Sequence, residues 1–295
     1  MSICEVIAKL LFFTVGPYLE HPELINTLPR GLKSVTGLTV LLDQVFIVRV
    51  DTREMEIYNS GTLMLTNRLQ VDGLKNPRDL TSCSKFRCLY ISDGGGLKIH
   101  RVELNGATTR WKLNDEPWIR NPAPDGLSVT PEPDFHVLVT CPYALKLKEF
   151  TTNGVPIREI RLQEELVHPL HAIQFNGQFI VAHGFETDPL HRVCIVNTTG
   201  HVTRCYGGPR GSAVGQLDGP RHLAVDSEGN VVIADLGNER VLLLNETLKY
   251  VGDLVSTYKG NRSKFHPFRL HLDTRGKMLV VDHINMDVLM FQVRN

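Results

Sequence analysis

The 295-residue sequence predicts an all-β protein built from six similar units, and three observations support this prediction. Apolar and polar residues alternate, or short apolar runs occur, as is typical of strands rather than helices. Gly, Asn, Asp and Ser residues separate these segments at short intervals, as in hairpin turns. A pattern of successive strands and turns also returns along the chain every 42 to 50 residues.

The clearest unit covers residues 219–245. Leu223 and Val225 alternate as in a half-buried strand, and residues 227–230 have the composition of a hairpin turn. A continuous apolar strand is predicted at residues 231–234, and the next strand at residues 241–244. The unit is therefore a strand meander closed by short turns.

The same frame returns near residues 36, 76, 124, 169 and 266. The apolar anchors of the first strands are Leu38, Leu80, Leu127, Ile173, Leu223 and Leu270. A four-stranded sheet cannot bury both of its faces alone, whereas a ring of such sheets buries them against each other. The sequence therefore predicts a six-bladed β-propeller in a single domain, residues 1–295, with blades starting near residues 35, 77, 124, 169, 220 and 267.

The last predicted blade runs out of sequence before its fourth strand. Residues 3–10 are mostly apolar and belong to no other blade, so we expect them to supply this strand within a lead-in that covers residues 1–34. A secretory signal peptide is the alternative, but Glu5 occupies its basic region and the apolar core is short. Because no apolar run of ~18 residues occurs, no membrane helix is predicted. We expect a cytoplasmic protein, with secretion as the alternative.

The blade at residues 220–241 resembles the NHL repeat through the pattern Pro-x-x-Leu-x-Val-Asp-x-x-Gly-x-Val-x-Ile-Ala-Asp-x-x-Asn-x-Arg-Val. The resemblance implies a propeller like that at the C-terminus of TRIM-NHL proteins, which recruits RNA or protein for a RING ubiquitin ligase. It thereby implies a ubiquitin-ligase complex as a partner. The six cysteines form no CxxC pair, so neither a RING nor a B-box is predicted in this chain.

Cysteine positions leave the redox state open. Cys83 with Cys88, and Cys194 with Cys205, would each face one another across a hairpin. The six cysteines otherwise resemble core thiols of a reducing compartment, and disulfides are the alternative.

Composition and motifs weigh against several function classes. Lys plus Arg and Asp plus Glu each number 32, so the chain is not a globally basic nucleic-acid binder, although a local patch stays open. The sequence contains no Gly-x-Ser-x-Gly elbow and no phosphate-binding loop. Asp51, Asp93, Asp235 and Asp282 each follow a predicted second strand, and we interpret them as turn-capping rather than catalytic residues. No cofactor is predicted.

The central channel of the predicted propeller offers a second candidate site. The residues that precede the first-strand anchors are Gly37, Asp79, Gly126, His171 or Ala172, His222 and Arg269. Polar groups bridged by water are the expected role of this set, and no metal is predicted. His171, His222 and Asp79 are weak candidates for metal ligands, which leaves a metal-dependent propeller lyase or hydrolase as the alternative function.

The predicted binding residues lie in loops of one face, called here the top face. It carries the loops that lead into each first strand and those that join second to third strands. Basic and aromatic side chains suited to phosphates and bases are Arg78, Arg221, Arg262, Lys264, Phe268 and Arg269. A protein partner would use Tyr143, Phe185 and Phe268. The sequence thus predicts a non-catalytic module that recruits protein, single-stranded RNA or both, and no membrane partner.

Overall fold

The computed structural model describes residues 16–28, 30–105, 110–113, 119–120, 124–256 and 264–295. Within these residues the protein is all-β, and the two helical segments there are single 3₁₀ turns at Pro142–Ala144 and Leu236–Asn238. Neither turn has the length needed to cross a membrane. The strands form six antiparallel sheets of four or five strands. The predicted six-bladed β-propeller is therefore confirmed.

Blades one to three follow the chain from their innermost to their outer strands. Blade one contains β2 (Val35–Leu41), β3 (Gln44–Arg49), β4 (Glu54–Asn59) and β5 (Leu65–Gln70). Blade two contains β6 (Pro77–Cys83), β7 (Cys88–Asp93), β8 (Lys98–Asn105), β9 (Arg110–Leu113) and β10 (Ile119–Arg120), the last two both pairing with β8. Blade three contains β11 (Leu127–Val129), β12 (Val137–Cys141), β13 (Lys146–Phe150) and β14 (Pro156–Arg161).

Blades four to six repeat this order, except that the outermost strand of blade six comes from the start of the chain. Blade four contains β15 (Pro169–Phe175), β16 (Gln178–His183), β17 (Leu190–Val196) and β18 (Val202–Pro209). Blade five contains β19 (Pro220–Val225), β20 (Val231–Asp235), β21 (Arg240–Leu244) and β22 (Tyr250–Val255). Blade six contains β23 (Pro267–Leu272), β24 (Lys277–Asp282), β25 (Asp287–Arg294) and β1 (Tyr18–Leu28).

Burial along each blade explains the sequence pattern. The second strands β7 and β20 are buried at every residue because a neighbouring blade covers each of their faces. The outermost strand β5 is exposed at most positions and reads Leu-Thr-Asn-Arg-Leu-Gln. Apolar runs therefore mark inner strands, whereas outer strands carry little sequence signal.

The described core consists of six apolar clusters, one between each pair of adjacent blades. One of them joins Ile47 of blade one to Val281 of blade six, so the ring is closed by packing as well as by strand pairing. Burial between blades supplies most of the driving force, because neither face of a blade is covered by its own strands.

The closing strand is β1, whereas the sequence predicted residues 3–10, which lie outside the described residues. β1 pairs antiparallel with β25 from Leu28 opposite Val288 to Tyr18 opposite Arg294. An N-terminal strand therefore completes the last blade as predicted, but a later segment supplies it. The prediction chose the wrong segment because it sought an apolar run, and an outermost strand is only partly buried.

A β-bulge recurs at the start of every first strand. The register shifts by one residue between Pro77 and Asp79, and blades one, four, five and six shift at the equivalent place. In blade three the N–H of Asp125 and the C=O of Gly126 both bond to Thr140. We call the extra residues the bulge positions: Thr36, Arg78, Asp125, Leu170, Arg221 and Phe268. A bulge re-aims the side chain of its extra residue.

The residues that follow the bulges form the belt positions: Gly37, Asp79, Gly126, His171, His222 and Arg269. His171 pairs with Ala182 just as His222 pairs with Ala234, so the equivalent residue of blade four is His171 and not Ala172. The belt therefore lies at one level around the central channel.

Of the two candidate cysteine pairs, one is bonded. Cys194 and Cys205 face each other on β17 and β18 and form a disulfide. Cys83 and Cys88 also face each other across β6 and β7, but both are free thiols and buried.

Three of the four strand-ending aspartates cap turns, as the sequence predicts. Asp93 accepts backbone hydrogen bonds from Lys75, Asn76 and Gly96 at 2.8–3.1 Å. Asp235 and Asp282 accept the backbone N–H of Asp218 and of His266 in the same way. In blade one the assignment of Asp51 was wrong, because Arg49 pairs with Val35 at the equivalent place.

Candidate functional site: a cavity above the central channel

The channel is closed by side chains of the belt positions around Asp79. Oδ1 of Asp79 accepts Nε of Arg269 at 3.1 Å and its Oδ2 accepts the backbone N–H of Leu127 at 2.9 Å. Arg269 also donates to the carbonyl of Arg78 at 2.6 Å. Burial raises the pKa of Asp79, and the charge of Arg269 together with the backbone hydrogen bonds opposes part of this rise.

His171 and His222 stack beside this ion pair with ring centroids 3.8 Å apart. Their Nε2 atoms lie 4.0 and 3.8 Å from Oδ2 of Asp79. Their Nδ1 atoms each accept a backbone N–H at 3.3 Å, from Leu223 and Leu270 respectively. A nitrogen that accepts a hydrogen bond carries no proton, so these bonds assign the protons of both neutral rings to Nε2.

Both rings are neutral at physiological pH. Burial lowers the pKa of His171 to about 3, and burial together with the proximity of His171 lowers that of His222 well below its usual value. Nε2 of His171 can therefore donate to the carbonyl of Leu127 at 3.2 Å, in agreement with the assigned tautomer.

The three weak metal candidates thus come together, with ligand atoms within 4.8 Å of one another. Their hydrogen bonding does not fit a divalent cation. A metal at Nε2 would require the proton to move to Nδ1, where a backbone N–H already points at each ring. The carboxylate of Asp79 is also neutralised by Arg269. We therefore describe Asp79, His171, His222 and Arg269 together as the channel plug, a hydrogen-bonded closure of the channel.

The two glycines of the belt let the blades approach closely. A Cβ atom on Gly126 would lie 2.5 Å from the carbonyl oxygen of Leu170, and one on Gly37 would lie 2.7 Å from the backbone nitrogen of Leu80. Backbone atoms cannot move aside as a flexible side chain can, so these positions require glycine while the first strands stay at this distance.

A cavity of about 230 Å³ lies above the plug at the top face. All six bulge positions line it, so the repeated bulge is the feature that turns one residue of each blade into the cavity. Loops of blades three and four add Tyr143, His168 and Phe185 to its wall. The cavity therefore combines guanidinium groups, aromatic rings and one carboxylate, that of Asp125.

Arg221 is a largely buried cation of the cavity that is attracted by the charges of Asp125 and Glu186 but bonds to neither. Its Cζ lies 4.7 Å from the ring centroid of Phe185 and 5.1 Å from that of Phe268, within cation–π range. It makes no hydrogen bond or ion pair with any described residue. Burial, with Arg269 and Arg78 nearby, lowers the pKa of Arg221 to about 10, so the group is still charged at neutral pH.

The wall that carries Phe185 is held rigidly. Oδ2 of Asp188 accepts the backbone N–H of Phe185 at 2.7 Å and the Nδ1 atom of His168 bonds to the same oxygen at 2.8 Å. The His168 ring then contacts Tyr143 and Phe185 edge-on, with centroids 6.3 and 6.5 Å apart. These contacts hold the aromatic side chains in place without a ligand, which reduces the entropy lost on binding.

Six of the eight predicted binding residues line this one cavity: Arg78, Tyr143, Phe185, Arg221, Phe268 and Arg269. Lys264 is exposed and does not line it, and Arg262 lies outside the described residues. Arg269 is buried in its bond to Asp79, so it is not a free cation as the predicted basic patch assumed. The binding role of these residues remains a prediction.

Asp125 and His168, which were not predicted as binding residues, also line the cavity. Asp125 was identifiable in principle, because it occupies the bulge position of blade three, equivalent to Arg78 and Arg221. His168 carries no repeat signal, since it lies in the loop before β15 and faces the cavity through the packing of blades three and four.

No family model and no curated protein match this sequence. Solved structures share its fold. Virginiamycin B lyase from Staphylococcus aureus is 13% identical with a TM-score of 0.60, over 89% of this chain and 82% of its own. The Kuenenia stuttgartiensis hydrazine synthase is 11% identical with a TM-score of 0.63, over 90% and 97%. A chain of a nidogen/laminin complex is 14% identical with a TM-score of 0.58, over 75% and 80%. Such identities show a shared propeller fold and leave function to the site.

Proposed function

We propose that this propeller is a non-catalytic recruiting module that binds a protein segment in the cavity of its top face. The observation that carries the proposal is the guanidinium of Arg221, which bonds to no described residue and lies beside two phenylalanine rings. Arginine and aromatic side chains are the residue types that contribute most to protein interfaces when they line a well-packed pocket. Tyr143, which is 82% exposed at the rim, extends this surface.

A protein segment agrees with the cavity better than single-stranded RNA does. Binding of RNA rests on several phosphate contacts along a basic track, and bases that stack on accessible rings. Here Arg269 is bonded to Asp79, Asp125 adds a negative charge to the wall, and Phe268 is only 8% exposed. Arg78 and Arg221 are the other arginines among the described lining residues, and they lie in one depression rather than along a track.

The finer identity of the module is also part of the proposal. The resemblance of residues 220–241 to the NHL repeat supports a propeller of the TRIM-NHL kind, associated with a ubiquitin-ligase complex in the cytoplasm. The nidogen/laminin complex provides a precedent for this architecture in protein–protein assembly. The lyase and the hydrazine synthase show that the architecture also occurs in enzymes. The choice between a recruiting module and an enzyme therefore depends on the site. There the Nε2 protons of His171 and His222 oppose metal binding, which weakens the alternative of a metal-dependent lyase or hydrolase.

Selection from a random peptide display library tests the proposal. Peptides that bind the native protein should be lost with Arg221→Glu and with Phe185→Ala, because both changes alter the cavity wall. They should be retained with Arg204→Glu, since this exposed arginine lies on β18 away from the cavity. A selection from random-sequence RNA at about 100 mM salt runs in parallel.

The two selections have distinct outcomes. Peptides that compete with one another and require Arg221 would support the proposal. RNA ligands that weaken steeply with salt, without any peptide, would replace it with the RNA function. Peptides that bind Arg221→Glu and the native protein equally well would place recruitment elsewhere on the surface and contradict the proposal.

A further inference from the structure

We infer that Arg221 binds a single carboxylate group of the recruited segment, confined by Phe185 and Phe268. This inference rests on the proposed function, because it names the chemical group that the cavity recognises. It adds a ligand class and one residue that determines specificity.

The guanidinium of Arg221 has N–H donors that are not used within the described residues. A guanidinium has five N–H donors and no acceptor, and none of those of Arg221 bonds to a described residue. The rings of Phe185 and Phe268 stabilise the charge but offer no oxygen to the N–H groups. An occupant of the cavity that supplies two parallel oxygens would satisfy donors that the protein leaves unsatisfied.

The charges around Arg221 favour one anionic group over a polyanion. Arg269 belongs to the pair with Asp79 beneath the cavity. That leaves Arg78 and Arg221 against the carboxylate of Asp125 among the lining residues, and Glu186, which does not line the cavity, also attracts Arg221. One further anionic group can bond to the unused donors of Arg221, whereas a polyanion would be repelled by both Asp125 and Glu186.

The volume and the walls of the cavity restrict the kind of group that fits beside Arg221. Its volume of about 230 Å³ suits one side chain or one chain terminus rather than an extended ligand. Phe185, Phe268 and Leu170 form apolar walls beside the guanidinium. The expected group therefore carries its carboxylate next to an apolar body. A C-terminal residue and an acidic side chain both have this chemistry.

A titration followed by NMR of the arginine Nε–Hε signals tests the inference on the intact protein. The probes are N-acetylphenylalanine, which has a carboxylate beside an aromatic body, its neutral amide, and phenyl phosphate. We expect N-acetylphenylalanine to shift the Arg221 signal to saturation. The amide should bind at least about tenfold more weakly, because it brings no negative charge to the guanidinium. Equal binding of the acid and the amide would overturn the inference, and tighter binding of phenyl phosphate would reassign the site to phosphate.

Two variants separate the charge of Arg221 from its geometry. Arg221→Gln should abolish saturable binding, and Arg221→Lys should weaken it by about five- to tenfold, because lysine keeps the charge but lacks the planar fork. Arg204→Gln is the matched control and should bind like the native protein. If Arg221→Lys binds as tightly as the native protein, the forked contact is wrong. If Arg221→Gln still binds, the carboxylate lies elsewhere. An unchanged melting temperature in Arg221→Lys keeps the test valid should Arg221→Gln unfold.

Two short peptides then distinguish the sources of the carboxylate. One has a free C-terminal phenylalanine and no acidic side chain, and the other has a central glutamate with both termini blocked. Binding of the first alone assigns the site to a chain terminus, and binding of the second alone assigns it to an acidic side chain. Failure of both peptides and of N-acetylphenylalanine overturns the inference, although selected neutral peptides that need Phe185 would still support the proposed function. If N-acetylphenylalanine binds but no peptide is ever selected, the inference stands and protein recruitment fails.

Discussion

The hydroxyl of Tyr18 donates a hydrogen bond to the carboxylate of Asp226 at 3.1 Å, across 208 residues of sequence. Arg294 pairs with the same carboxylate, and its Cζ lies 3.8 Å from the Tyr18 ring centroid. Strands β1 and β25 and blade five thus meet at the carboxylate of Asp226. Because β1 and β25 join the two ends of the chain, this contact ties the closure of the ring to the neighbouring blade.

Loss of this hydroxyl should weaken the closure. Tyr18→Phe keeps the ring under Arg294 but removes the donor to Asp226, and we expect the free energy of unfolding to fall by about 1–2 kcal/mol, since the bond is partly buried and reaches a charged acceptor. Tyr250→Phe is the matched control, because its hydroxyl bonds to Asp253 at 3.1 Å on the exposed surface. Urea unfolding of both variants measures the difference, and equal losses would contradict a special role for the closure.

A single methyl group on the belt should destabilise the ring. Gly126→Ala places a Cβ atom 2.5 Å from the carbonyl oxygen of Leu170, and we expect a loss of about 1–3 kcal/mol because blades three and four would have to separate. Gly208→Ala has nothing within 4 Å of its new Cβ atom and should leave the melting temperature nearly unchanged. If the two alanine variants melt together, the close approach of the belt is wrong.

The channel plug should not take up zinc. Coordination at His171 and His222 would require both rings to change tautomer against backbone N–H groups, so we expect less than about 0.2 equivalents at this site after equilibration with zinc. Elemental analysis of the native protein beside Asp79→Asn measures this directly. A stoichiometric ion that is present in the native protein and lost in the variant would restore the metal-dependent alternative.

Buried histidines should make the fold sensitive to acid. Burial lowers the pKa of His171 and of His183 to about 3 and that of His271 to about 4, against roughly 6.5 in an unfolded chain, and the pKa of His222 is also well below this value. Between these values the unfolded chain binds protons that the folded chain does not. The stabilisation is therefore complete above about pH 6.5 and is lost progressively as the pH falls towards 3. Asp235, whose pKa burial raises to about 6, offsets part of this loss because the folded state then binds the extra proton.

The pH effect is measurable by urea unfolding at two pH values. We expect a net loss of at least roughly 3 kcal/mol between about pH 7.5 and pH 5. His183→Gln should lose distinctly less over the same interval, because it removes one of the histidines responsible. A variant that loses as much as the native protein would show that His183 does not contribute.

Much of the site could be located from the sequence but not assembled from it. The repeat frame placed Asp79, His171 or Ala172, and His222 at the channel, and Arg78 and Arg221 in loops of the top face. It did not show that Arg269 neutralises Asp79, because that contact joins blades six and two across the channel. It also missed His168, whose position depends on the loops of two blades rather than on the repeat.

The sequence by itself determined that the protein is an all-β ring of six blades. Strand period, turn residues and repeat length are local signals, and they recur from blade to blade. The tertiary structure alone decided which segment closes the ring, where the protons of His171 and His222 reside, and that Arg221 meets Phe185 and Phe268 in one cavity. The physical reason is the same in each case. An outer strand is chosen by pairing rather than by its own hydrophobicity, and contacts between blades depend on bulges and distances that no single repeat encodes.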